Sequence, residues 1–323
     1  VGTIALYLSY VLAAATAATG IVGNARKNPR LVAASVWGLY GFFAMIAITS
    51  ALLVYAFLTH DFTIKYVAAT SDTSMTTSYK ITAFWGALDG SLLFWVFVLG
   101  AFSTIAIAVN ARRHRDMIGF VVGTIMVVQV FFITLLIFNK DPFTTFLTDP
   151  PTNGQGLNPL LQNYWMVLHP PTLFLGFSAT LVPFAYAVAG LWRERLKEWI
   201  TPALPWTFFG IMVLGTGILM GGAWAYEALS FGGFWAWDPV ENGSLVPWIV
   251  LVGSGHLMLI NKRKPTSLFT TLLLVLGTWL LVLYSTFLTR SGVLGDTSVH
   301  SFTGEGMMPG LLTLILTFVV LGT

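Results

Sequence analysis

Long apolar runs recur along this chain at the length of membrane-crossing helices. They fall near residues 3–22, 32–58, 87–110, 118–138, 171–191, 206–223, 244–260, 268–288 and 309–323. A helix rises about 1.5 Å per residue, so about 20 apolar residues cover a hydrocarbon core of about 30 Å. Within that core every backbone N–H and C=O must find a partner inside the protein, and a helix satisfies them all locally. With 56% hydrophobic and 9% charged residues in 323, and a mean hydropathy of +0.80, the runs predict an all-α integral membrane protein. We expect a multi-span helical bundle of about nine spans forming one polytopic domain over residues 1–323. The second run is long enough to tilt or to continue past the bilayer. The first lacks a basic leading region and is followed by a basic loop, so it reads as a span rather than a cleavable signal. The chain begins at Val1 and is still apolar at Thr323, which reads as one part of a longer protein with further spans.

Charge gives the expected orientation. Alternate loops hold Arg26, Lys27, Arg30, Arg112, Arg113, Arg115, Arg193, Arg195, Lys197, Lys262, Arg263 and Lys264, twelve of the 16 basic residues. By the positive-inside rule these loops face the cytoplasm and the N-terminus lies outside. The other loops hold Lys65, Lys80, Lys140 and Arg290, with ten of the 13 acids. A net charge of +3 divided between two membrane faces implies no nucleic-acid partner. There is no cysteine, so the chain forms no disulfide, attaches no haem covalently to itself and performs no thiol exchange.

The basic loops are short, whereas the outer loops are longer and richer in Pro, Gly, Asn and Thr, which places function on the outer side. Three of these carry candidate residues. Loop 139–170 is punctuated by Asp141-Pro142, Asp149-Pro150-Pro151 and Asn158-Pro159, with a short interfacial helix expected over Leu160–Leu168 ahead of His169-Pro170-Pro171. Loop 224–243 carries Phe231-Gly232-Gly233-Phe234-Trp235-Ala236-Trp237-Asp238, followed by Pro239-Val240-Glu241-Asn242. Loop 289–309 carries Arg290 and His300.

The aromatic run is costly to keep at a membrane surface unless something flat and apolar docks there. Phe231, Phe234, Trp235 and Trp237 offer ring faces, Gly232 and Gly233 admit close backbone approach, and a porphyrin fits that description. If the three loops converge, His169 and His300 reach opposite faces of a haem on that shelf, since imidazole is a usual axial ligand. The other reading is two hydrated interfacial histidines. His256 lies about 18 Å into its span from Ser244. At that depth it is either a ligand or a neutral ring bonded to a helix carbonyl. His60 and His114 read as solvated. Arg290 is either a partner for a haem propionate or an interfacial anchor. Asp238 and Glu241 fit loop geometry or capping of a helix near Ser244 better than acid/base catalysis, and no residue is assigned as a catalytic acid or base. Trp85, Trp95, Trp165, Trp192, Trp199, Trp206 and Trp248 read mostly as an aromatic belt.

The aromatic run resembles the tryptophan-rich "WWD" haem-handling signature of cytochrome c assembly proteins. Asn158-Pro159-Leu160-Leu161-Gln162 with His169-Pro170-Pro171, Gly222-Ala223-Trp224-Ala225-Tyr226-Glu227, and Thr286 through Leu294 with Ser298-Val299-His300 narrow it. Together these stretches, spanning most of residues 80–303, resemble the CcmF/NrfE family of haem lyase subunits more than the shorter CcsA type. That resemblance implies a component of cytochrome c maturation in the bacterial plasma (inner) membrane. It makes His169 and His300 iron ligands of a transient substrate haem, residues 231–242 its shelf, and His256 one iron ligand of a permanent haem b, the second lying beyond Thr323. It implies a haem chaperone, CcmE, as donor, with apocytochrome c presented as reduced Cys-x-x-Cys-His by CcmH and associated subunits. The implied reaction is thioether formation by a lyase, with the membrane haem as reductant. The sequence departs from the commonest signature at Phe231, Phe234 and Ala236; aromatic character survives at the first two, and Ala236 loosens the shelf. A haem transporter and a b-type electron-transfer subunit are the rival readings. The short basic loops offer the transporter no aromatic site for haem to enter, and an electron carrier leaves the outer shelf unexplained.

Overall fold

The computed structural model describes residues 1–229, 232–294 and 308–322. These form α1 (Gly2–Ala25), α2 (Pro29–Leu58), α3 (Lys65–Thr70), α4 (Thr77–Thr82), α5 (Leu88–Asn110), α6 (Arg115–Asn139), α7 (Tyr164–Trp192), α8 (Ile200–Ala228), α9 (Pro239–Arg263), α10 (Leu268–Arg290) and α11 (Met308–Gly322). Among the described residues there is no strand, only an isolated bridge between Ile64 and Thr145. Among the described residues, eight helices are long and apolar enough to cross a membrane. The protein is therefore a multi-span helical membrane protein. The ninth expected run corresponds to α11, which is 15 residues long.

The helix starts follow local chemistry. Asn28 caps α2 by accepting from the Arg30 and Leu31 amides, with Pro29 in the first helical position, where a missing N–H costs nothing. Asn163 caps α7 through the Trp165 amide. Asp238 and Glu241 form a reciprocal capping box on α9, again with Pro at its start.

These caps correct several sequence-based boundaries. The helix expected near Ser244 begins at Pro239, and the one expected at 171 begins at Tyr164. The interfacial helix expected over Leu160–Leu168 is instead a 3₁₀ turn at Pro159–Leu161, and His169 stands inside α7. The connections between spans are accordingly shorter than the loops drawn from sequence: 140–163 rather than 139–170, and 229–238 rather than 224–243. Of the loop drawn as 289–309, residues 295–307 lie outside the described residues.

α7 continues through Pro170 and Pro171 although neither can donate to the preceding turn. The Met166 carbonyl that Pro170 leaves unpaired accepts instead from the Trp85 indole, 3.2 Å away. α1, α2 and α6 pack as one group, α7 lies along α8, and α9 and α10 follow. α5 bridges the two sets through α2, α6 and α7. Close approach of α1 and α6 requires glycine: a Cβ on Gly20 would lie 2.7 Å from the Gly119 carbonyl oxygen. The core between α5, α6 and α7 is aromatic. Trp95, fully buried, lies 4.7 Å from Phe132, 5.8 Å from Phe174 and 6.1 Å from Phe177, centroid to centroid.

Trp95 and Trp199 are fully buried and Trp85 nearly so, which corrects their assignment to an interfacial belt; Trp192, half exposed, suits it. Trp85→Phe keeps the ring but strands the Met166 carbonyl. It is expected to destabilise the protein by about 1–3 kcal/mol, read as a lowered thermal unfolding midpoint in detergent.

Candidate functional site

At the end of the bundle away from the basic connections, the segment before α7 is tied to α3 and α8. The Lys65 amide donates to the Thr144 carbonyl at 2.9 Å, and the Gln155 amide to the Ala68 carbonyl at 2.8 Å. The Trp224 indole donates to the Leu160 carbonyl at 3.1 Å. Beneath them lies a cavity of about 600 Å³ whose walls come from the turn before α5, the first half of α7, the end of α8, the aromatic loop, the start of α9 and the end of α10. It gathers His169, Trp235, Glu241 and Arg290 from four separate elements, together with Asp89 and Lys140.

His169 is held by α8. Its Nδ1 lies 2.7 Å from the Gly217 carbonyl. A carbonyl only accepts, so Nδ1 carries the proton in this bond. Space for the ring comes from Gly221, where a Cβ would stand 2.6 Å from His169 Cε1. At the adjacent Gly222 a Cβ would stand 2.2 Å from the Phe234 ring. The glycine pair therefore seats the candidate ligand and the aromatic loop side by side on one helix.

The loop is fixed by acids. Glu241 Oε2 accepts from the Ala236 amide at 2.9 Å and the Asp238 amide at 3.1 Å. Asp238 Oδ1 accepts from the Val240 amide at 2.7 Å. Gly232 and Trp237 both have positive φ, +68° and +58°. At Trp237 that conformation is uncommon for a bulky residue, and its carbonyl accepts from Asn242 Nδ2 at 2.9 Å. Trp235 and Trp237 meet edge to face at 6.1 Å. Trp235 lines the cavity, whereas Trp237 is 70% and Phe234 46% exposed. The Trp235 indole N–H and Glu241 Oε1 are buried and, among the described residues, have no hydrogen-bond partner. A buried donor and a buried acceptor at one cavity wall are expensive unless a ligand or water satisfies them.

Arg290 is buried rather than standing as the outer-face cation from which both readings began. It is 5% exposed, with its guanidinium 5.5 Å from the Phe174 ring centroid and 5.7 Å from that of Trp95. It donates to Ser91 Oγ at 3.2 Å. The Tyr66 hydroxyl donates to the Ala83 carbonyl at 3.0 Å. Burial, then the nearby Asp89 charge, pushes its pKa upward, so it serves as a fixed donor rather than an acid or base.

His256 is not in the cavity. It lies roughly 22 Å along α9 from Glu241, on an exposed face, with Nδ1 donating to the Val252 carbonyl at 2.8 Å. His300 and Phe231 lie outside the described residues. Sequence reasoning missed Trp85, Asp89 and Lys140 as site residues. Asp89 carried a signal, an acid between Gly86 and Gly90 at the mouth of a span; Trp85 carried none that separates it from a belt tryptophan.

The family model described as cytochrome c assembly protein matches residues 85–294. The chain belongs to the cytochrome c assembly protein family. The family region begins at Trp85 and runs past Arg290, so it contains His169, Trp235, Glu241 and Arg290. Relatives include CcmF of Pseudomonas aeruginosa, 36% identical over 99% of this chain and 48% of that protein. CcmF of Escherichia coli is 37% identical over 93% and 46%. NrfE of Haemophilus influenzae is 34% identical over 92% and 46%. The solved structure of the cytochrome c haem lyase CcmF superposes with a TM-score of 0.81 at 25% identity, over 99% of this chain and 50% of that one. The chain thus spans about half the length of these relatives.

Glu241→Ala removes the acceptor of two loop amides. The Ala236 and Asp238 amides are expected to exchange hydrogen about tenfold faster or more, corresponding to the 1.5–3 kcal/mol typical of bonds to a charged group. Hydrogen-exchange mass spectrometry of the loop peptide reads this directly.

Proposed function

We propose that this protein is a haem lyase component of cytochrome c maturation, which receives haem in the cavity and holds it for thioether attachment to Cys-x-x-Cys-His of an apocytochrome c. The observation that carries this reading is the convergence of His169, Trp235, Glu241 and Arg290 on one cavity, with the His169 ring seated by its Nδ1 bond to the Gly217 carbonyl. The surroundings fit the rest of the molecule. A volume of about 600 Å³ lies in the range of small-ligand sites. Trp235 offers a ring face, Arg290 and Lys140 suit carboxylates, and the unpartnered Trp235 N–H and Glu241 Oε1 face polar groups still to arrive.

Haem, as substrate, supplies the vinyl groups and the iron. In each attachment a cysteine S–H adds across a vinyl double bond, the sulfur bonding the carbon nearer the ring and the proton going to the terminal carbon, with no net oxidation. Both thiols belong to the apocytochrome, consistent with a chain that has no cysteine. What this chain supplies is placement. His169, with His300 as the second ligand, fixes the ring plane, Arg290 fixes its edge, and the aromatic loop excludes water. Holding both reactants in one orientation removes much of the entropic barrier.

We place the aromatic loop on the extracytoplasmic side of the inner membrane, with the N-terminus outside and the basic connections in the cytoplasm. The partners on this reading are apocytochrome c, a haem chaperone of the CcmE kind and a CcmH-type presenting subunit. A separate haem b would take His256 as one ligand and a second ligand from outside this sequence. His256 fits that role, since its bonded Nδ1 leaves Nε2 as the metal-binding nitrogen on an exposed helix face.

Three outcomes test the proposal. Purified protein carrying His256→Ala is expected to lose its b-type pyridine haemochrome signal; an unchanged Soret band would remove His256 from the site. His169→Ala with His300→Ala is expected to keep that signal while abolishing holocytochrome formation, and normal yield would refute the cavity as the lyase site. Gly221→Leu, which fills the seat of the His169 ring, is expected to lower holocytochrome yield about tenfold or more with the b-type signal retained.

A further inference from the structure

A second cavity, of about 700 Å³, opens at the opposite end of the bundle, between the α1–α2 connection, the first turns of α2, the α5–α6 connection and the end of α7. Its polar wall carries Lys27, Arg112, Arg115 and Arg193. The carboxylate of that wall, Asp116, is already engaged by Arg195, which also pairs with Glu198 at 2.8 Å. Among the described residues no ion pair engages any of the four lining cations. Arg193 Nε is buried there without a hydrogen-bond partner. Four positive groups drawn to one cleft repel each other unless an anion sits among them.

The other wall is apolar. Val32, Val36 and Ile118 line it, and Trp37 stands at its edge, 73% exposed. Trp37 lies roughly 12 Å along α2 from Pro29, a depth at which tryptophan marks the boundary between headgroups and acyl chains. Beyond it the α2 surface exposes Ile48 and Tyr55. A free phosphate ion would use the cations and leave the apolar wall idle. A ligand with an anionic head and a hydrocarbon tail uses both.

We infer that this cleft binds one anionic phospholipid from the leaflet at the basic end of the bundle. Its phosphate lies among Arg112, Arg115, Arg193 and Lys27, and an acyl chain runs along α2 past Trp37. The bound lipid joins the α1–α2 pair to α6 and α7 beside the bond that Asn24 of α1 donates to the Asp116 carbonyl of α6 at 3.0 Å.

Native mass spectrometry of the full chain in detergent tests this by titration with phosphatidylglycerol, phosphatidylcholine and inorganic phosphate. The expected result is one phosphatidylglycerol per chain at concentrations where phosphatidylcholine gives none, with no displacement by an equal concentration of inorganic phosphate. Arg112→Gln with Arg193→Gln should weaken binding about 30-fold, at about fivefold per cation near a lipid headgroup. Arg113→Gln, which removes a neighbouring charge outside the cleft, should leave it unchanged. Ala33→Trp fills the apolar wall without altering charge and should also weaken binding, which keeps the test intact if the double variant fails to fold. Equal binding of the two lipids, or affinity unmoved by both cleft variants, would overturn the inference. Displacement by inorganic phosphate would overturn it too, marking a site for a free anion instead.

Discussion

The constraint on which this structure depends is that a polar main-chain atom in apolar surroundings must find a partner inside the protein. It is most acute at the start of α7, where two consecutive prolines withdraw their donors. The answer comes from indole rings. Trp85 donates to Met166, the residue whose helical partner is missing. Trp224 donates to Leu160 in the turn just before the helix, and Trp165, on its first turn, donates to Glu227 of α8 at 2.9 Å. Trp85 and Trp224 each bring a large apolar body with one donor at its edge, which suits a carbonyl left open. The position of His169 is thus tied to the turn before α5 and to α8.

The span pattern was legible because length and apolarity are local properties. What escaped was set by distant residues or by direction around a helix. The break expected at Pro170-Pro171 is absent because Trp85, from another part of the chain, repairs it. The start of α9 was written in Asp238-Pro239-Val240-Glu241, a capping signature, but polar residues from Glu241 to Ser244 hid the helix from an apolar count. The depth of His256 along α9 could be read; its azimuth could not, because Ile249, Leu259 and Ile260 are exposed on a helix that is apolar on its buried side as well. Arg290 was recognisable as a rare cation, yet its burial depends on Trp95 and Phe174, which only the folded bundle brings beside it.

The two ends of the molecule have opposite chemistry. One collects acids and aromatic rings around a cavity, and the other collects cations around a cleft. Arg290 is a cation at the acidic end that is enclosed in the protein. Burying a guanidinium is expensive, and here two π faces and the Ser91 hydroxyl offset part of that expense. Such a residue keeps a positive field inside a low-dielectric wall, where it is felt more strongly than at the surface.

The bond between His169 and Gly217 also bears on timing. A free imidazole must choose a tautomer and a rotamer before it can bind a metal, and each choice delays capture. Here the Gly217 carbonyl favours one tautomer and the ring lies against Gly221, so a flip would break the Nδ1 bond. On the proposed reading, a haem arriving in the cavity meets a ring already facing one way, so less reorganisation stands between arrival and capture.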